Sequence, residues 1–298
     1  MSPTTRGVAL SILASTLFGV MYYYSALLTP LDGEQIFGWR MLLTVPLMTA
    51  FLLAGGGWQL VRATTARLRA EPWLWLALPA SAALLGVQLW LFLWAPPNGR
   101  ALDVSLGYFM LPLAMVLTGR LAYGERLSCL QRLAVLCAAA GVLHELWRVG
   151  GFSWTAGVVA LGYPLYFVLR RRAGTDHLGG LWFDMLFMLP VAAWFALASA
   201  AGLSVFAQRP ALWLLIPVLG LISVTALVTY IRSSRLLPLG LFGLLGYVEP
   251  MLLVVVSLLL GERLAPGQGW TYGPVWLAVA LLVVEGGLKL RRGRNAVP

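Results

Sequence analysis

Residues 105–127 read SLGYFMLPLAMVLTGRLAYGERL, and residues 245–264 read LGYVEPMLLVVVSLLLGERL. Each stretch has Gly-Tyr, a proline three or four residues after the tyrosine, an apolar run, and a closing Gly-Glu-Arg-Leu. The closing glutamates, Glu125 and Glu262, are 137 residues apart (262 minus 125). An ordered set of matches at this separation predicts an internal repeat that divides the chain into two similar halves.

The apolar runs around these motifs are long enough to cross a membrane. Of the 298 residues, 60% are hydrophobic and only 11% are charged, whereas soluble domains have roughly 25% charged residues. A helix needs about 20 apolar residues to span the hydrocarbon core. Ten runs qualify: 7–28, 35–54, 72–95, 103–123, 129–147, 152–169, 179–201, 210–233, 239–260 and 268–290. The sequence therefore predicts an all-α integral membrane protein with ten transmembrane helices.

The loop charges give these spans an orientation. The chain has 21 Lys+Arg and 11 Asp+Glu, a net charge of +10. Ten spans place 16 basic residues on the side of the N-terminus, four on the other side, and Arg40 within a span. Because cytoplasmic loops carry the excess of Lys and Arg, both termini are predicted to be cytoplasmic in a bacterial inner membrane. The same distribution explains the basic composition without a nucleic-acid partner.

Ten spans in two halves give five spans each, residues 1–148 and 149–298. Because five is odd, the second half enters the membrane from the opposite side. Inverted repeats of this kind are common in secondary transporters, where the solute binds near the midplane at the repeat interface. The sequence thus predicts a carrier with a central cavity. The matched prolines, Pro112 and Pro250, are predicted to be hinges because each removes a helical hydrogen bond.

Several short motifs resemble one family. Residues 94–100 read WAPPNGR, residues 105–109 read SLGYF, and Pro112 follows. Glu34 and Arg40 have E-x5-R spacing, after Gly19. Together with the two Gly-Glu-Arg ends, these resemble the RarD-like branch of EamA transporters, in the drug/metabolite transporter superfamily. The resemblance covers the whole chain. It implies ten helices in two EamA repeats, no cofactor, and most often efflux of amino acids, drugs or related metabolites, including amino-acid-derived metallophores.

The chain departs from that branch at three places. Pro96-Pro97 stands where the branch usually has Val-Asn, and Leu111 where an asparagine often precedes the proline. Glu249 stands where a small or apolar residue usually precedes the ninth-span proline. These departures indicate a solute that differs from those of typical branch members.

Glu249 is the first candidate for a solute-binding residue. It lies near the centre of the ninth apolar run, and a carboxylate there costs about 2.5–3.5 kcal/mol on insertion scales. Intramembrane acids are functional by default. One interpretation has Glu249 bind an amino group or carry a coupling proton. The other has it form a structural pair with a basic or hydroxyl group.

Arg40, Asn98 and Arg100 are further candidates. Arg40 lies in the outer third of the second span, where it either binds a solute carboxylate bidentately, extends outward to water, or pairs with Glu34. Asn98 and Arg100 either form the mouth of the cavity or cap the fourth helix beside Asp103. Glu249 and Arg40 together predict an amine-bearing or zwitterionic solute.

Other polar side chains in the spans need partners. Tyrosine hydroxyls and amides in an apolar environment require hydrogen bonds, so they are candidates for cavity lining or for helix contacts. These residues are Tyr108, Tyr247, Tyr163, Tyr230 and Gln88. Asp184 and Glu285 lie toward the cytoplasmic ends of their spans, where inter-helix pairing is favoured over a gate or proton site.

The sequence lacks the motifs of several other functions. It has no ATP-binding G-x-x-x-x-G-K-[ST] loop, and its two histidines belong to no metal-ligand cluster. Cys129 and Cys137 are interpreted as packing residues. The expected partners are a small solute and the lipid bilayer, and a homodimer is compatible with this assignment. The alternatives are an importer of a similar solute, a membrane enzyme that acts on lipid-linked substrates, and a receptor or assembly subunit.

Overall fold

The computed structural model describes residues 3–95, 101–150, 153–198, 203–259 and 267–294, and all regular structure in these ranges is helical. The helices are α1 (Pro3–Ser25), α2 (Gly33–Ala54), α3 (Trp58–Ala70), α4 (Leu74–Trp94), α5 (Ala101–Tyr123), α6 (Cys129–Val149), α7 (Trp154–Arg172), α8 (Leu178–Leu197), α9 (Ser204–Gln208), α10 (Leu212–Leu236), α11 (Leu239–Leu245), α12 (Val248–Leu259) and α13 (Gln268–Arg294). A single 3₁₀ turn, Ala26–Leu28, follows α1.

The helices confirm an all-α integral membrane protein. Seven of them, α1, α2, α4, α5, α6, α8 and α10, are long and apolar enough to cross a membrane, and two shorter apolar stretches cover Leu239–Leu252 and Gly269–Glu285. Helix α7 occupies the predicted sixth span and ends in three consecutive arginines. Each of the ten predicted runs therefore coincides with at least one helix over most of its described residues.

Polar caps mark where two of the spans begin. The Asp32 side chain accepts from the Gln35 amide, 2.8 Å away, and the Gln35 side chain accepts from the Asp32 amide. Ser128 and Gln131 form the same reciprocal pair at the start of α6. Each capping box satisfies backbone donors that have no partner within the helix. These caps end the short polar loops within a residue or two of the predicted span edges.

The chain folds into two compact units, and each takes segments from both sequence halves. Unit one contains Met1–Gly19, Ala101–Pro164 and Arg232–Pro298, and unit two contains Val20–Arg100 and Leu165–Ile231. In unit one, α5 packs on α11 and α6 packs on α13; in unit two, α2 and α4 both pack on α8. In three of these pairs, α5 with α11, α6 with α13 and α2 with α8, the helices are at equivalent places in the two predicted halves. The division at residue 148 remains a prediction about sequence symmetry.

The contact between α2 and α8 in unit two depends on a glycine. A Cβ on Gly38 would lie 2.5 Å from the carbonyl oxygen of Ala192 and 2.6 Å from the amide nitrogen of Ala196. Both alanines are completely buried. Membrane helices associate through such small residues because the hydrophobic effect gives little attraction between helices in lipid.

Replacing Gly38 by alanine is expected to destabilise unit two by about 1–3 kcal/mol, the usual cost of overpacking. The obstructing atoms belong to backbone, which cannot rotate away. Thermal unfolding of the purified protein in detergent should show a lower midpoint. Gly86→Ala in α4 is the matched control, because its Cβ would meet only the flexible Met188 side chain, at 3.2 Å. Equal midpoints for the two variants would contradict the close-packing account.

The predicted continuous ninth span, 239–260, is wrong in one respect. The structure divides it into α11 and α12, with a turn at Gly246 and Tyr247. Pro250 explains the division, because it has no N–H for the carbonyl of Gly246, four residues earlier, and its ring clashes with that carbonyl. The Gly246 carbonyl accepts instead from the Glu249 amide at 3.2 Å. Pro112 has no such effect, since α5 continues through it.

Two short helices occupy segments that the sequence analysis treated as loops. Helix α3 buries Val61, Thr64 and Leu68 on one face. Arg67 donates to the carbonyl of Ala173 (3.0 Å) and to both carboxylate oxygens of Glu71 (2.8 and 3.0 Å). The hydrogen bond from Arg67 holds the pKa of the Glu71 carboxyl below its ordinary value. Because α3 is amphipathic and only 13 residues long, a search for long apolar runs does not find it. The second short helix in a predicted loop is α9.

Candidate functional site

The turn between α11 and α12 is the main irregularity of the apolar core in unit one. Tyr247 lies in this turn with its side chain completely buried. Its hydroxyl donates to the carbonyl oxygen of Phe109 on α5, at 2.9 Å. A tyrosine hydroxyl in an apolar environment needs such a partner. The contact joins the broken span to the helix that carries the other copy of the repeat motif.

Glu249 lies in the first turn of α12, two residues after Tyr247, and its side chain is half-buried. The N-terminal end of a helix carries a partial positive charge, which stabilises a carboxylate in the first turn. Broken membrane helices form solute and ion sites in many secondary transporters, because their ends expose polar groups within the membrane. Pro250 thus creates the discontinuity beside which Glu249 lies.

A second polar group of unit one joins α6 to α13. The Glu145 carboxylate is 5% exposed, and it accepts from the Thr271 hydroxyl (2.6 Å) and from Arg148 Nε (3.0 Å). His144 Nδ1 lies 3.0 Å from the Thr271 hydroxyl. Sequence analysis missed this group, although an acid in a span with an arginine three residues later was a signal for it.

In unit two, Arg40 is directed at α10. Its side chain is 5% exposed, and its Nε donates to the Ser223 hydroxyl at 2.9 Å. The Thr44 hydroxyl is 3.2 Å from the same oxygen. The Glu34 carboxylate, one of the partners considered for Arg40, accepts from the indole of Trp90 at 3.2 Å. The Ser223 and Thr44 hydroxyls orient the guanidinium group, and sequence reasoning found neither.

Asp184 has partners on two other helices of unit two. Its carboxylate forms an ion pair with Arg170 (2.8 Å) and accepts from the Tyr166 hydroxyl (2.9 Å) and from Ser81. All four side chains are at most 1% exposed. Arg170 also donates to the carbonyls of Thr175 and His177. This is the inter-helix pairing that the sequence analysis favoured for Asp184.

The position of Arg170 corrects the count of loop charges. The sequence analysis ended the sixth span at residue 169 and counted Arg170 as a loop charge. Helix α7 continues to Arg172, so Arg170 lies inside the helix and its side chain is buried against Asp184. The Arg-Arg-Arg run concealed this pairing because it resembles an ordinary cytoplasmic loop.

The structure divides the remaining candidates between the two units. Unit one holds Tyr108 on α5 and Tyr163 on α7, both half-buried; unit two holds buried Gln88 on α4 and half-buried Tyr230 on α10. The Tyr230 ring lies 5.8 Å from that of Phe167. In unit one, Glu285 accepts from the Gln131 side-chain amide at 3.3 Å. Asn98 and Arg100 lie outside the described residues.

No group of three or more His, Cys, Asp and Glu side chains in the described ranges could hold a metal ion. Cys129 is exposed and Cys137 is half-buried, and neither forms a disulfide. The polar chemistry available within the described helices is therefore that of carboxylates, guanidinium groups and hydroxyls. Such groups bind and orient a charged solute.

Comparisons with known proteins agree with this architecture. A model of the EamA-like transporter family matches residues 5–144. "Chloramphenicol-sensitive protein RarD" of Pseudomonas aeruginosa is 50% identical over 292 residues, which cover 96% of each chain. An uncharacterized transporter of Pasteurella multocida is 42% identical over 96% of this chain and 98% of its own. "Protein RarD" of Salmonella typhi is 30% identical over 95% of this chain and 96% of its own.

A solved crystal structure supports the fold alone. It has a TM-score of 0.65 and 17% identity, and the match covers 94% of this chain and 98% of that one. The helical fold and the sequence matches together define a multi-pass membrane transporter, and the chain belongs to the EamA-like transporter family. Within that family it is RarD-like, in the drug/metabolite transporter superfamily.

Proposed function

We propose that this protein is a secondary transporter of the bacterial inner membrane that exports a small amine-bearing or zwitterionic metabolite. Candidates are amino acids, amino-acid-derived metallophores and drug-like compounds. Glu249 is the observation that carries the proposal. A half-buried carboxylate stands in the first turn of α12, directly after a break in an apolar span. Intramembrane acids mark solute and ion pathways, and broken helices form solute sites in secondary transporters.

Charge complementarity sets the expected class of solute. A carboxylate in a medium of low dielectric constant attracts an ammonium group far more strongly than it does in water. Glu249 would therefore recognise the amino group of the solute or carry a coupling proton in its place. Arg40, whose Nε is held by Ser223, has the planar donor geometry that suits a carboxylate. The charges of these two residues, one in each unit, favour an amine-bearing or zwitterionic solute by their chemistry alone.

Alternating access gives the transport mechanism. Two similar inverted halves exchange conformations, so that a solute site faces one side of the membrane and then the other. The discontinuity of α11 and α12 supports such a change, because a span already broken at Gly246 and Tyr247 has fewer helical hydrogen bonds to lose. The solute is moved without chemical change, with both termini in the cytoplasm. A homodimer is also part of this proposal.

Export is the direction that the resemblance favours, and import of a similar solute is the alternative. Comparative metabolomics of cytoplasm and medium, with and without the protein, tests the direction and identifies the solute. Export predicts a metabolite that accumulates inside cells lacking the protein and falls in their medium; the opposite pattern indicates import. Because the P. aeruginosa relative carries a name that refers to chloramphenicol sensitivity, labelled chloramphenicol should be one further probe.

Purified protein in liposomes tests the class of function. Flux of the identified metabolite without a chemically altered product supports transport. Formation of a product indicates an enzyme, and the absence of both indicates a receptor or assembly subunit. Empty liposomes and liposomes with the Glu249→Gln variant are the controls for leakage.

A further inference from the structure

Unit one contains a cavity outside the solute site described above. It lies between the end of α5 and the start of α6 and has a volume of about 470 Å³. Its lining consists of Arg120, Gly124, Glu125, Arg126, Leu127 and Arg132. Half of these residues are arginines, so three basic residues line one space. We call this space the basic cavity.

The one acidic residue of the basic cavity is directed at a helix end. The Glu125 carboxylate accepts from the amides of Leu239 (2.6 Å) and Gly240 (2.7 Å), at the start of α11. Charge-assisted hydrogen bonds from first-turn amides stabilise the negative charge of a carboxylate. Glu125 therefore has a structural role between α5 and α11, and the net charge of the cavity lining is positive.

The three arginines are available to a ligand. Arg120, Arg126 and Arg132 are exposed, and in the part of the chain that the structure describes none of them forms an ion pair. Arg132 makes one hydrogen bond, from its Nε to the carbonyl of Leu127 at 3.3 Å. The positive-inside rule accounts for arginines on this side of the membrane. It does not require three of them to line one cavity.

Exposed leucines lie on the same helices as Arg120 and Arg132 of the basic cavity, within four residues of these arginines. Leu117 and Leu121 lie one turn apart on α5 and are 56% and 76% exposed. Leu133 and Leu136 lie one turn apart on α6 and are 46% and 67% exposed. Residues three or four apart share a helix face, so each helix presents an apolar stripe beside an arginine of the cavity. Exposed apolar stripes on membrane helices contact acyl chains.

We propose that the basic cavity binds the phosphate of an anionic phospholipid, with the acyl chains along the leucine stripes of α5 and α6. Guanidinium groups bind phosphate bidentately, and basic pockets at the cytoplasmic ends of membrane helices suit anionic headgroups. A soluble phosphate compound shares this chemistry, but it would not use the leucines. The inference is independent of the proposed solute and of Glu249.

Lipid titration of the purified full-length protein tests the proposal. Cardiolipin, phosphatidylglycerol, phosphatidylethanolamine and inorganic phosphate are added separately in neutral detergent. Native mass spectrometry reports bound lipid, and thermal unfolding reports stabilisation. The two anionic lipids are expected to bind and to raise the unfolding midpoint, with phosphatidylethanolamine much weaker. Saturable phosphate binding without lipid binding would instead identify a soluble ligand for the same arginines.

Variants of the arginines locate the binding. The triple variant Arg120→Gln, Arg126→Gln and Arg132→Gln is expected to weaken anionic lipid binding about 100-fold, and Arg126→Gln alone about fivefold, because each basic residue near an anionic surface contributes about 1 kcal/mol. If the triple variant fails to fold, the loss of lipid affinity in Arg126→Gln alone tests the proposal.

The matched control removes three exposed arginines from the same predicted side of the membrane but outside the basic cavity: Arg62→Gln, Arg69→Gln and Arg172→Gln. This control should bind cardiolipin as the wild type does. Equal affinity of the wild type and the cavity variants would overturn the proposal. So would an equal loss in the control, which would show that only overall charge matters.

Discussion

Replacing Glu249 by glutamine is expected to reduce solute export by about 10- to 100-fold. The substitution keeps the shape of the side chain but removes its negative charge, and hydrogen bonds to charged groups contribute about 1.5–3 kcal/mol. Cells that produce the variant should therefore have nearly the same ratio of internal to external metabolite as cells without the protein. Comparative metabolomics measures this ratio directly, and vesicle flux confirms it.

The matched control for this experiment is Glu285→Gln. Glu285 is another acid of unit one, buried on α13, but its carboxylate accepts from Gln131, and its replacement should change export little. Glu249→Asp keeps the charge on a shorter side chain and should retain part of the activity. If Glu249→Gln exports the solute at the wild-type rate and with the wild-type pH dependence, a central role for this carboxylate is refuted.

Replacing Asp184 by asparagine is expected to destabilise unit two by about 3–5 kcal/mol. Asparagine can keep contacts with Ser81 and Tyr166, but it leaves the Arg170 guanidinium as a buried charge without its counter-charge. Arg170 is 1% exposed, so water cannot replace the lost partner. Thermal or denaturant unfolding in detergent should show a large decrease in the midpoint.

The control for the ion pair removes both charges. Asp184→Leu combined with Arg170→Met should recover much of the stability, because a buried ion pair replaced by apolar groups is often neutral. Tyr166→Phe removes the hydrogen bonds of the Tyr166 hydroxyl with Asp184 and Arg170 but leaves the ion pair, and should cost about 1.5–3 kcal/mol, less than Asp184→Asn. If Asp184→Asn unfolds like the wild type while the pH dependence of export changes, Asp184 is a proton site and the structural interpretation fails.

The sequence predicted the helices well where the physical signal was local. Helix α6 was expected at 129–147 and extends from Cys129 to Val149; α5 was expected at 103–123 and extends from Ala101 to Tyr123. Apolar length sets these spans, since a membrane helix must cover the hydrocarbon thickness. Local caps such as Ser128 with Gln131 set the starting residues.

The site was predicted only in part because side-chain partners come from distant segments. Glu249 is a candidate from its sequence context alone, as an acid in an apolar run, and its role stays a prediction. The partners of Asp184 could not be predicted from the sequence, because Arg170 resembled a loop charge and Ser81 is 103 residues away. Arg40 was found, whereas its hydroxyl partner Ser223, 183 residues distant, left no signal in the neighbourhood of Arg40.

By itself, the sequence determined that this protein lies in a lipid bilayer and is all-helical, and it predicted an internal repeat. These follow from hydropathy, span length and matched motifs, which are properties of contiguous residues. Tertiary structure alone decided that Pro250 interrupts its span whereas Pro112 does not, and that Arg170 is buried on Asp184. It also decided that three arginines line one cavity. Each of these outcomes depends on where side chains and backbone groups lie in three dimensions. Arg170 and Asp184 are on different helices, and residues 120–132 line one space across the turn between α5 and α6, so neither arrangement leaves a periodic pattern in the sequence.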